Sequence, residues 1–451
     1  MVAQINRINI YAALKAFIRT FVFLMAIVTK CFAEPTLLTD DETETLMYQI
    51  AKPVFDAAGI ACDFNKIHIL NDMSLNAFVS DGNHLFLHTG TILEVKNTNE
   101  LYGIIAHEAG HIAGGHIMRQ KLKIDDLRTL SAISLITAGA AAVASGRGDA
   151  AMAVALGSQG SLINSMLYYR VTEERSADES AVKYLKKIKQ SPIGLENFMK
   201  AIEKNNRLSG YEETPYFKTH PMNAERKVFF DEAARKNGGQ TTSPFDSKLK
   251  LVQAKLGAFL LNDDRVLRKY PDNDKSMPAE YAHAIIAFKQ RKFAKAVGLM
   301  DDLIEKQPDN PYFYELKGQF LFESGKITEG VNAYRKALSL KPDSNETMLL
   351  YAESALELPQ DQKNLTEIIG ILNKLQIRQE TPRGWELLSR AYHEQGRNAQ
   401  SLYAAAKFSF LSGRIEVAKK QIDKAFAAGA DENLKLKLSD LQNQIENEKD
   451  E

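Results

Sequence analysis

The chain has 451 residues, of which 45% are hydrophobic and 25% are charged, and its formal net charge is +0. This length suffices for two or three domains that each have a core of their own. The balanced charge argues against a general nucleic-acid-binding protein, because such a protein carries a basic excess. We therefore expect no nucleic-acid partner.

The first 33 residues have the organisation of a secretory signal peptide. Basic residues precede the apolar run 21–29, and the small residue Ala33 follows it. The run is shorter than the roughly 20 residues that span a membrane, so cleavage is favoured over anchoring. Residues 1–33 are therefore predicted to be the signal peptide of an exported protein. Cleavage leaves Cys62 as the only cysteine, so no internal disulfide is expected.

The first part of the exported chain alternates between helical and strand periodicity. Helical spacing and an acidic first turn predict a helix over 40–60. Three runs with a period of two predict short strands over 66–70, 76–80 and 84–90. The Asp81-Gly82 pair between the second and third runs predicts a hairpin turn. A single long helix is predicted to begin near Asn97–Asn99 and to continue to residue 123.

Residues 129–169 are rich in alanine, glycine and serine, and 150–169 contain no charged residue. A membrane span is disfavoured, because the apolar run 131–146 is short and is followed by Arg147 and Asp149. A buried helical hairpin is the favoured interpretation. The alternative is a surface that meets unfolded protein or makes peripheral contact with a membrane.

The second half of the chain contains an internal repeat. A cluster of Asn, Gly, Thr and Pro residues over 237–244 predicts a linker between a domain at 34–240 and a domain at 241–451. Beyond it, residues 277–310 align with 311–344 at an offset of 34 residues. This is the period of the tetratricopeptide repeat, a helix–turn–helix unit. The pattern is interrupted around 358–364 and resumes after it, so an all-α solenoid is predicted.

The sequence HEAGH at 107–111 predicts a metal site. His107 and His111 are four residues apart and lie on one face of a helix, with Glu108 beside them. Structural zinc sites are closed and often use cysteines, whereas two histidines and one carboxylate with an open position form a catalytic site. The extended motif HExxHxxGxxH would supply a third histidine at position 117, but that residue is isoleucine. The third ligand is therefore expected to be a carboxylate from another element. The segment 171–181 offers four candidates, and spacing does not choose among them: Glu173, Glu174, Asp178 and Glu179.

Several motifs together resemble the M48 family of zinc metallopeptidases. They are HEAGH with His116 five residues later, E-R-S-A-D at 174–178, H-P-M-N-A-E-R at 220–226, and the Asn-Ala-Phe strand at 76–78. The resemblance implies a mostly α protein, with an α+β zincin-type metalloprotease domain that has a small sheet, followed by the repeat solenoid. It implies one Zn²⁺ per chain with His107, His111 and Glu174 as ligands and Glu108 as general base. It further implies that Asp178 orients a ligating histidine through the other ring nitrogen.

The resemblance also extends to residues outside the metal ligands. Asn76, Ala77, Phe78 and Val79 would form an edge strand to which an extended substrate adds, although an ordinary strand is an equal alternative. His220 has two competing roles. It either donates a hydrogen bond to the oxyanion, with Arg226 nearby, or binds the zinc as a fourth ligand and leaves no room for water. We favour the second role, a latch, with the arginine helping the substrate once the loop has moved.

These expectations define one function and one alternative. The resemblance implies a periplasmic, zinc-dependent endopeptidase whose repeats present a concave binding surface. It implies unfolded or misassembled outer-membrane proteins as clients and the outer-membrane assembly machinery as the partner of the repeats. The alternative is a chaperone or adaptor in which the repeats bind that machinery and proteolysis is latent.

Overall fold

The computed structural model describes residues 36–119, 170–209, 215–221 and 224–447. The predicted signal peptide at 1–33 and the alanine-rich stretch at 129–169 lie outside the described residues. Among the described helices, none is both long enough and apolar enough to cross a membrane.

The predicted first helix is confirmed as α1, Asp41–Ala58. The Asp40 side chain accepts a hydrogen bond from the Thr43 amide and caps the helix. The helix ends at Gly59, whose φ of 74° belongs to the left-handed region that glycine adopts without strain. One face of α1 is buried in the core, so the helix forms an integral wall of the first domain.

A four-stranded sheet accounts for the alternating runs. Its strands are β1 (Leu37–Leu38), β2 (Ile67–Leu70), β3 (Ala77–Ser80) and β4 (His84–His88). The order is β1-β2-β4-β3, with β2 and β4 parallel and β3 and β4 antiparallel. The hairpin turn is confirmed, and Gly82 adopts a φ of 73° within it. Strand β3 is consequently an edge strand among the described residues.

The histidine-rich helix is shorter than predicted. After the short α2 (Thr89–Glu94), α3 spans Thr98–Ala113 and is capped by Asn97, as expected. The chain then turns at Gly114 and Gly115, where Gly115 has a φ of 64°, and is helical again over 116–119. The prediction of one continuous helix to residue 123 is therefore wrong, because the paired glycines end α3.

Helix α3 is the centre of the first domain, and other helices approach it closely. A Cβ on Gly103 would lie 2.5 Å from the Leu195 backbone nitrogen, and one on Gly110 would lie 2.8 Å from the Ala177 carbonyl oxygen. Glycine at these two positions therefore lets two helices pack directly on α3. The surrounding helices are α4 (170–187), α5 (Ile193–Ser209), α6 (Pro215–Thr219) and α7 (Ala224–Asn237).

The repeat prediction is confirmed by paired helices with the predicted offset. Helix pairs beginning at residues 277 and 293 recur at 311 and 327, which is 34 residues later. The predicted interruption lies in the loop between the helices Asn345–Ala355 and Leu365–Arg378. The helices of this half are α8 (Asp246–Leu260), α9 (Asp263–Lys269), α10 (Met277–Lys289), α11 (Phe293–Lys306), α12 (Pro311–Glu323), α13 (Ile327–Leu340), α14 (Asn345–Ala355), α15 (Leu365–Arg378), α16 (Pro382–Glu394), α17 (Asn398–Leu411), α18 (Ile415–Ala427) and α19 (Glu432–Asn447).

Helix α8 packs into the cores of both halves. Val252 and Leu256 belong to the core that contains α3, whereas Ala254 and Ala258 belong to the core of the first repeats. The predicted boundary at residue 240 stays a prediction, and α8 is a structural part of both sides.

A buried polar network adds to this contact between the halves. The Tyr281 hydroxyl donates to Glu42 over 2.9 Å, and the Asp41 amide donates to Glu346 over 2.9 Å. Lys255 forms an ion pair with Asp40 in the same region. The N-terminal end of α1 is thus held by side chains of the repeats.

Candidate metal centre

Helix α3 presents two histidines and a glutamate inside the first domain. His107 and His111 lie one turn apart on one face, and their Nε2 atoms are 3.1 Å from each other. His107 and Glu108 are 0% and 1% exposed, respectively. Groups of this polarity are buried only where other groups or an ion satisfy them.

Two residues from outside α3 complete the cluster. Glu174 of α4 lies 3.3 Å from both histidines, with Oε1 near His111 Nε2 and Oε2 near His107 Nε2. His220, in the loop after α6, places Nδ1 3.0 Å from Glu174 Oε1 and 3.2 Å from His107 Nε2. The donor atoms of these four buried residues all lie within 4.8 Å of one another.

The donor set fits a tetrahedral cation. Zinc binds imidazole nitrogen and carboxylate oxygen at about 2.0–2.2 Å, which separates neighbouring donors of a tetrahedron by about 3.3–3.6 Å. The nearest donor pairs of the cluster are 3.0–3.3 Å apart. His107 Nδ1 lies 2.8 Å from Asp178. With its proton on that nitrogen, the neutral ring has its lone pair on Nε2, which faces this centre. Three imidazoles and one carboxylate form a donor set typical of zinc.

Asp178 and Arg226 support the cluster from behind. Asp178 Oδ1 lies 2.8 Å from His107 Nδ1. Arg226 donates to both Asp178 oxygens, over 2.7 and 2.9 Å, and lies 3.0 Å from Glu174 Oε2. Burial alone would lower the pKa of His107, but its contacts with Asp178 and Glu174 outweigh that effect and raise the pKa to about 10. The carboxylates therefore stabilise positive charge at this point of the protein.

The relative placement of α3 and α4 depends on Gly110. The backbone of Ala177 lies so close that an added Cβ would be 2.8 Å from its carbonyl oxygen and 2.9 Å from its Cα. Since Ala177 lies between Glu174 and Asp178, this approach brings both carboxylates to the histidines. The two other candidates lie elsewhere: Glu179 is exposed beside Arg175, and Glu173 lies 3.8 Å from Arg119.

Glu108 lies at the rim of the cluster, and its Oε1 is 3.4 Å from His220 Nε2. Burial raises the pKa of Glu108 to about 7, against the opposing effect of His107 and His111. A carboxylate in this position can accept a proton from a neighbouring water molecule and return it at neutral pH.

His220 is buried and fixed by its surroundings. Its amide donates to the Tyr216 carbonyl over 2.7 Å, and the Tyr216 ring lies 4.8 Å from the imidazole, centre to centre. Arg226 Nη1 donates to the Pro221 carbonyl over 2.8 Å. Tyr216 is fully buried, and sequence analysis assigned it no role. These contacts hold the loop with the imidazole directed into the cluster. Arg226 contacts the carboxylates and this loop, so its direct role toward a substrate stays a prediction.

The predicted substrate strand lies at the sheet edge beside α3. Asn76 exchanges hydrogen bonds with Thr91: its amide donates to the hydroxyl and its carbonyl accepts from it, both over 2.8 Å. Phe78 stacks on Phe86 of the neighbouring strand at 4.9 Å. The backbone of Asn76 also accepts a hydrogen bond from the His88 amide over 3.1 Å. Ala77 to Val79 therefore belong to β3, the edge strand of the described sheet, and Asn76 directly precedes it.

Sequence reasoning missed the contacts of several histidines. His116, to which the sequence assigned no role, is 4% exposed. Its Nδ1 atom lies 2.9 Å from the Nδ1 atom of His111. His88 is 5% exposed and contacts the Ser74 hydroxyl at 3.0 Å. His68 Nε2 lies 2.7 Å from His84 Nδ1. For the contact between His116 and His111, the sequence signal is the glycine pair before His116, because that pair ends the helix and redirects the chain.

The fold and this centre define a metalloprotease with a helical repeat domain. Residues 41–233 match the model of peptidase family M48, and residues 281–345 match a tetratricopeptide repeat. The chain thus carries a peptidase family M48 domain followed by tetratricopeptide repeats.

Several curated proteins are similar to this chain. A beta-barrel assembly-enhancing protease of Yersinia pestis is 22% identical over 387 residues, covering 83% of this chain and 76% of the relative. The protein of the same name from Escherichia coli K12 is 22% identical over 383 residues, covering 83% and 75%. Metalloprotease LoiP of E. coli K12 is 29% identical over 165 residues, covering 36% of this chain and 58% of the relative.

Proposed function

We propose that this protein is a periplasmic, zinc-dependent endopeptidase that degrades misfolded or stalled outer-membrane proteins and assists their assembly. The observation that carries the proposal is the convergence of His107, His111, Glu174 and His220 at donor separations suited to zinc. The names of the Yersinia and E. coli relatives support a role in β-barrel assembly. The signal-peptide pattern of residues 1–33 supports export.

Peptide hydrolysis requires a strong nucleophile at neutral pH and a proton carrier. Zinc held by His107, His111 and Glu174 would lower the pKa of a water molecule from 15.7 to about 7 and polarise the peptide carbonyl. Glu108 accepts the proton of the attacking water and returns it to the leaving amine. Its burial among the histidines keeps it close to the reacting atoms and away from bulk solvent.

Asp178 and Arg226 prepare this centre without taking part in proton transfer. Asp178 Oδ1 lies 2.8 Å from His107 Nδ1, where the carboxylate would hold the ring proton on Nδ1 and leave the lone pair on Nε2. The Arg226 guanidinium holds the two oxygens of Asp178 in a fixed plane and neutralises part of the carboxylate charge.

The substrate would bind by adding a strand to β3. Hydrogen-bonded pairs alternate along an antiparallel ladder. Because Asn76 pairs with His88, the backbone groups of Ala77 and Val79 point away from β4. They can form a ladder with an extended peptide of almost any sequence, and such recognition suits a protease that acts on unfolded chains.

His220 would be a latch that keeps the protease inactive at rest. An imidazole that occupies the fourth donor position leaves no room for the water molecule that hydrolysis needs. The support for this role is the 3.0 Å separation of His220 Nδ1 from Glu174 and its 3.2 Å separation from His107 Nε2. An oxyanion donor, by contrast, would leave the fourth ligand position open for water.

The repeats would recognise the outer-membrane assembly machinery and its unfolded clients. Tetratricopeptide solenoids present extended concave surfaces to protein partners.

A second candidate function is a chaperone or adaptor with latent proteolysis. The burial of His220 inside the cluster favours the latent state of the protease. Peripheral membrane contact through 129–169 stays a prediction, since those residues lie outside the described part.

Substitution Glu108→Gln tests the proposed peptidase. The amide keeps the shape of the side chain but cannot accept the proton, so zinc content should stay at one ion per chain while casein cleavage is lost. Glu179→Gln is the matched control, because Glu179 is exposed and pairs only with Arg175 in the contacts described above. Wild-type cleavage by the Glu108 variant would refute the mechanism.

A further inference from the structure

His116 makes a close contact with a residue of the metal centre that the proposed mechanism does not use. Its Nδ1 lies 2.9 Å from His111 Nδ1, within hydrogen-bonding distance. The two rings are nearly perpendicular, with centres 4.9 Å apart. His116 is 4% exposed, so water does not compete freely for this contact.

The chemistry of an imidazole pair fixes the direction of this hydrogen bond. His111 directs Nε2 at His107 and Glu174, so its lone pair is needed there and its proton must reside on Nδ1. Only one proton can lie between the two Nδ1 atoms. His116 must therefore accept with an unprotonated Nδ1 and carry its own proton on Nε2.

We propose that His116 is a positioning residue that fixes the tautomer and the ring orientation of His111 for metal binding. This inference rests on the proposed zinc site. It gives each α3 ligand a supporting acceptor of its own: Asp178 for His107 and His116 for His111. Such partners of ligating histidines orient the ring and raise its basicity.

The Gly114-Gly115 turn is what makes the contact possible. In a continuous helix, a residue five positions after His111 would point about 140° away from it, because each residue turns by 100°. The positive φ of Gly115 reverses the chain, and the absence of a side chain at Gly114 admits the imidazole of His116. A Cβ at Gly114 would lie 2.4 Å from His116 Nε2. The segment from His111 to His116 is thus one structural unit.

Two nearly isosteric substitutions distinguish hydrogen bonding from space filling. His116→Asn places an amide oxygen, which can accept, close to the position of Nδ1, whereas His116→Leu has a similar shape and no acceptor. Both are made in the full-length Glu108→Gln protein, so that self-cleavage does not interfere. The measured quantity is the zinc dissociation constant, by competition with a chromophoric chelator. The visible spectrum of the cobalt(II) form is a second readout, because it responds to ligand orientation.

We expect His116→Leu to weaken zinc binding about 10- to 100-fold, as is usual for loss of such a partner, and to change the cobalt spectrum. His116→Asn should stay within about threefold of the parent, and the unfolding temperatures of the metal-free variants should agree. Equal affinities of parent and leucine variant would overturn the inference, and so would equal losses in both variants. Failure of the Glu108→Gln parent itself to bind zinc would instead refute the proposed function.

Discussion

Replacing His220 by alanine is expected to activate the protease. The imidazole lies among the metal ligands, 3.0 Å from Glu174 and 3.2 Å from His107. Alanine removes the group that would occupy the fourth donor position and leaves His107, His111 and Glu174 in place. The variant should therefore keep its zinc while access to the centre increases.

The size of the increase follows from the contact that is lost. A hydrogen bond to a charged group contributes about 1.5–3 kcal/mol, and each 1.4 kcal/mol corresponds to a factor of ten in an equilibrium. Loss of a ligand contact of about this strength, together with the His220 imidazole, should thus shift the balance from latched to open by about 10- to 100-fold. Cleavage should rise by up to the same factor, because the proposed latch would hold most of the wild-type protein closed at rest.

The assay is the initial rate of fluorescent casein cleavage, together with self-cleavage on a gel and the zinc content of the same samples. His393→Ala serves as the control, since His393 is an exposed histidine of the repeats. A fall in rate of about 10²–10³ with zinc retained would identify His220 as an oxyanion donor and refute the latch. An unchanged rate would refute both roles.

Three further outcomes are expected. Gly110→Ala places a methyl group within 2.9 Å of the neighbouring backbone and should lower both zinc content and unfolding temperature, whereas Gly298→Ala, which meets nothing within 4 Å, should do neither. Val79→Pro removes an outward amide of the edge strand and should raise KM for casein several-fold relative to Val79→Ala, if substrates add to that strand. Burial raises the pKa of Glu315 to about 8 and that of Glu346 to about 7, so both bind protons more tightly when folded. The unfolding temperature should therefore fall as pH rises from 5 to 8, and Glu346→Gln should flatten this dependence.

The helical spacing of the sequence was sufficient to predict the part of the centre that lies on one element. His107, Glu108 and His111 are neighbours because α3 brings residues three and four apart onto one side. Spacing left Glu173, Glu174, Asp178 and Glu179 as equal candidates for the carboxylate, and only the family resemblance pointed to one of them.

The distinction among those carboxylates depends on packing. The face of α4 that meets α3 is determined by the direct approach of Gly110 to the Ala177 backbone. Such a contact between residues 67 positions apart in sequence has no local signature. The same holds for His220, which reaches the cluster from a loop held by Tyr216 and Arg226.

The prediction for residues after His111 failed for a local reason. A helical pattern of apolar residues continues past Gly114 and Gly115 and favours a longer helix than the one that forms. Two adjacent glycines at the end of a helix favour termination, because one of them can adopt a left-handed conformation. That conformation at Gly115 brings His116 to His111, a contact that a continuous helix would not make.

The most direct test of the metal centre is an anomalous difference map from crystals of the full chain, collected above and below the zinc absorption edge. The proposed zinc site predicts one peak per chain, surrounded by Nε2 of His107 and of His111, the Glu174 carboxylate and Nδ1 of His220. No peak at this position in crystals of protein that cleaves casein, or a peak held by other residues, would contradict it.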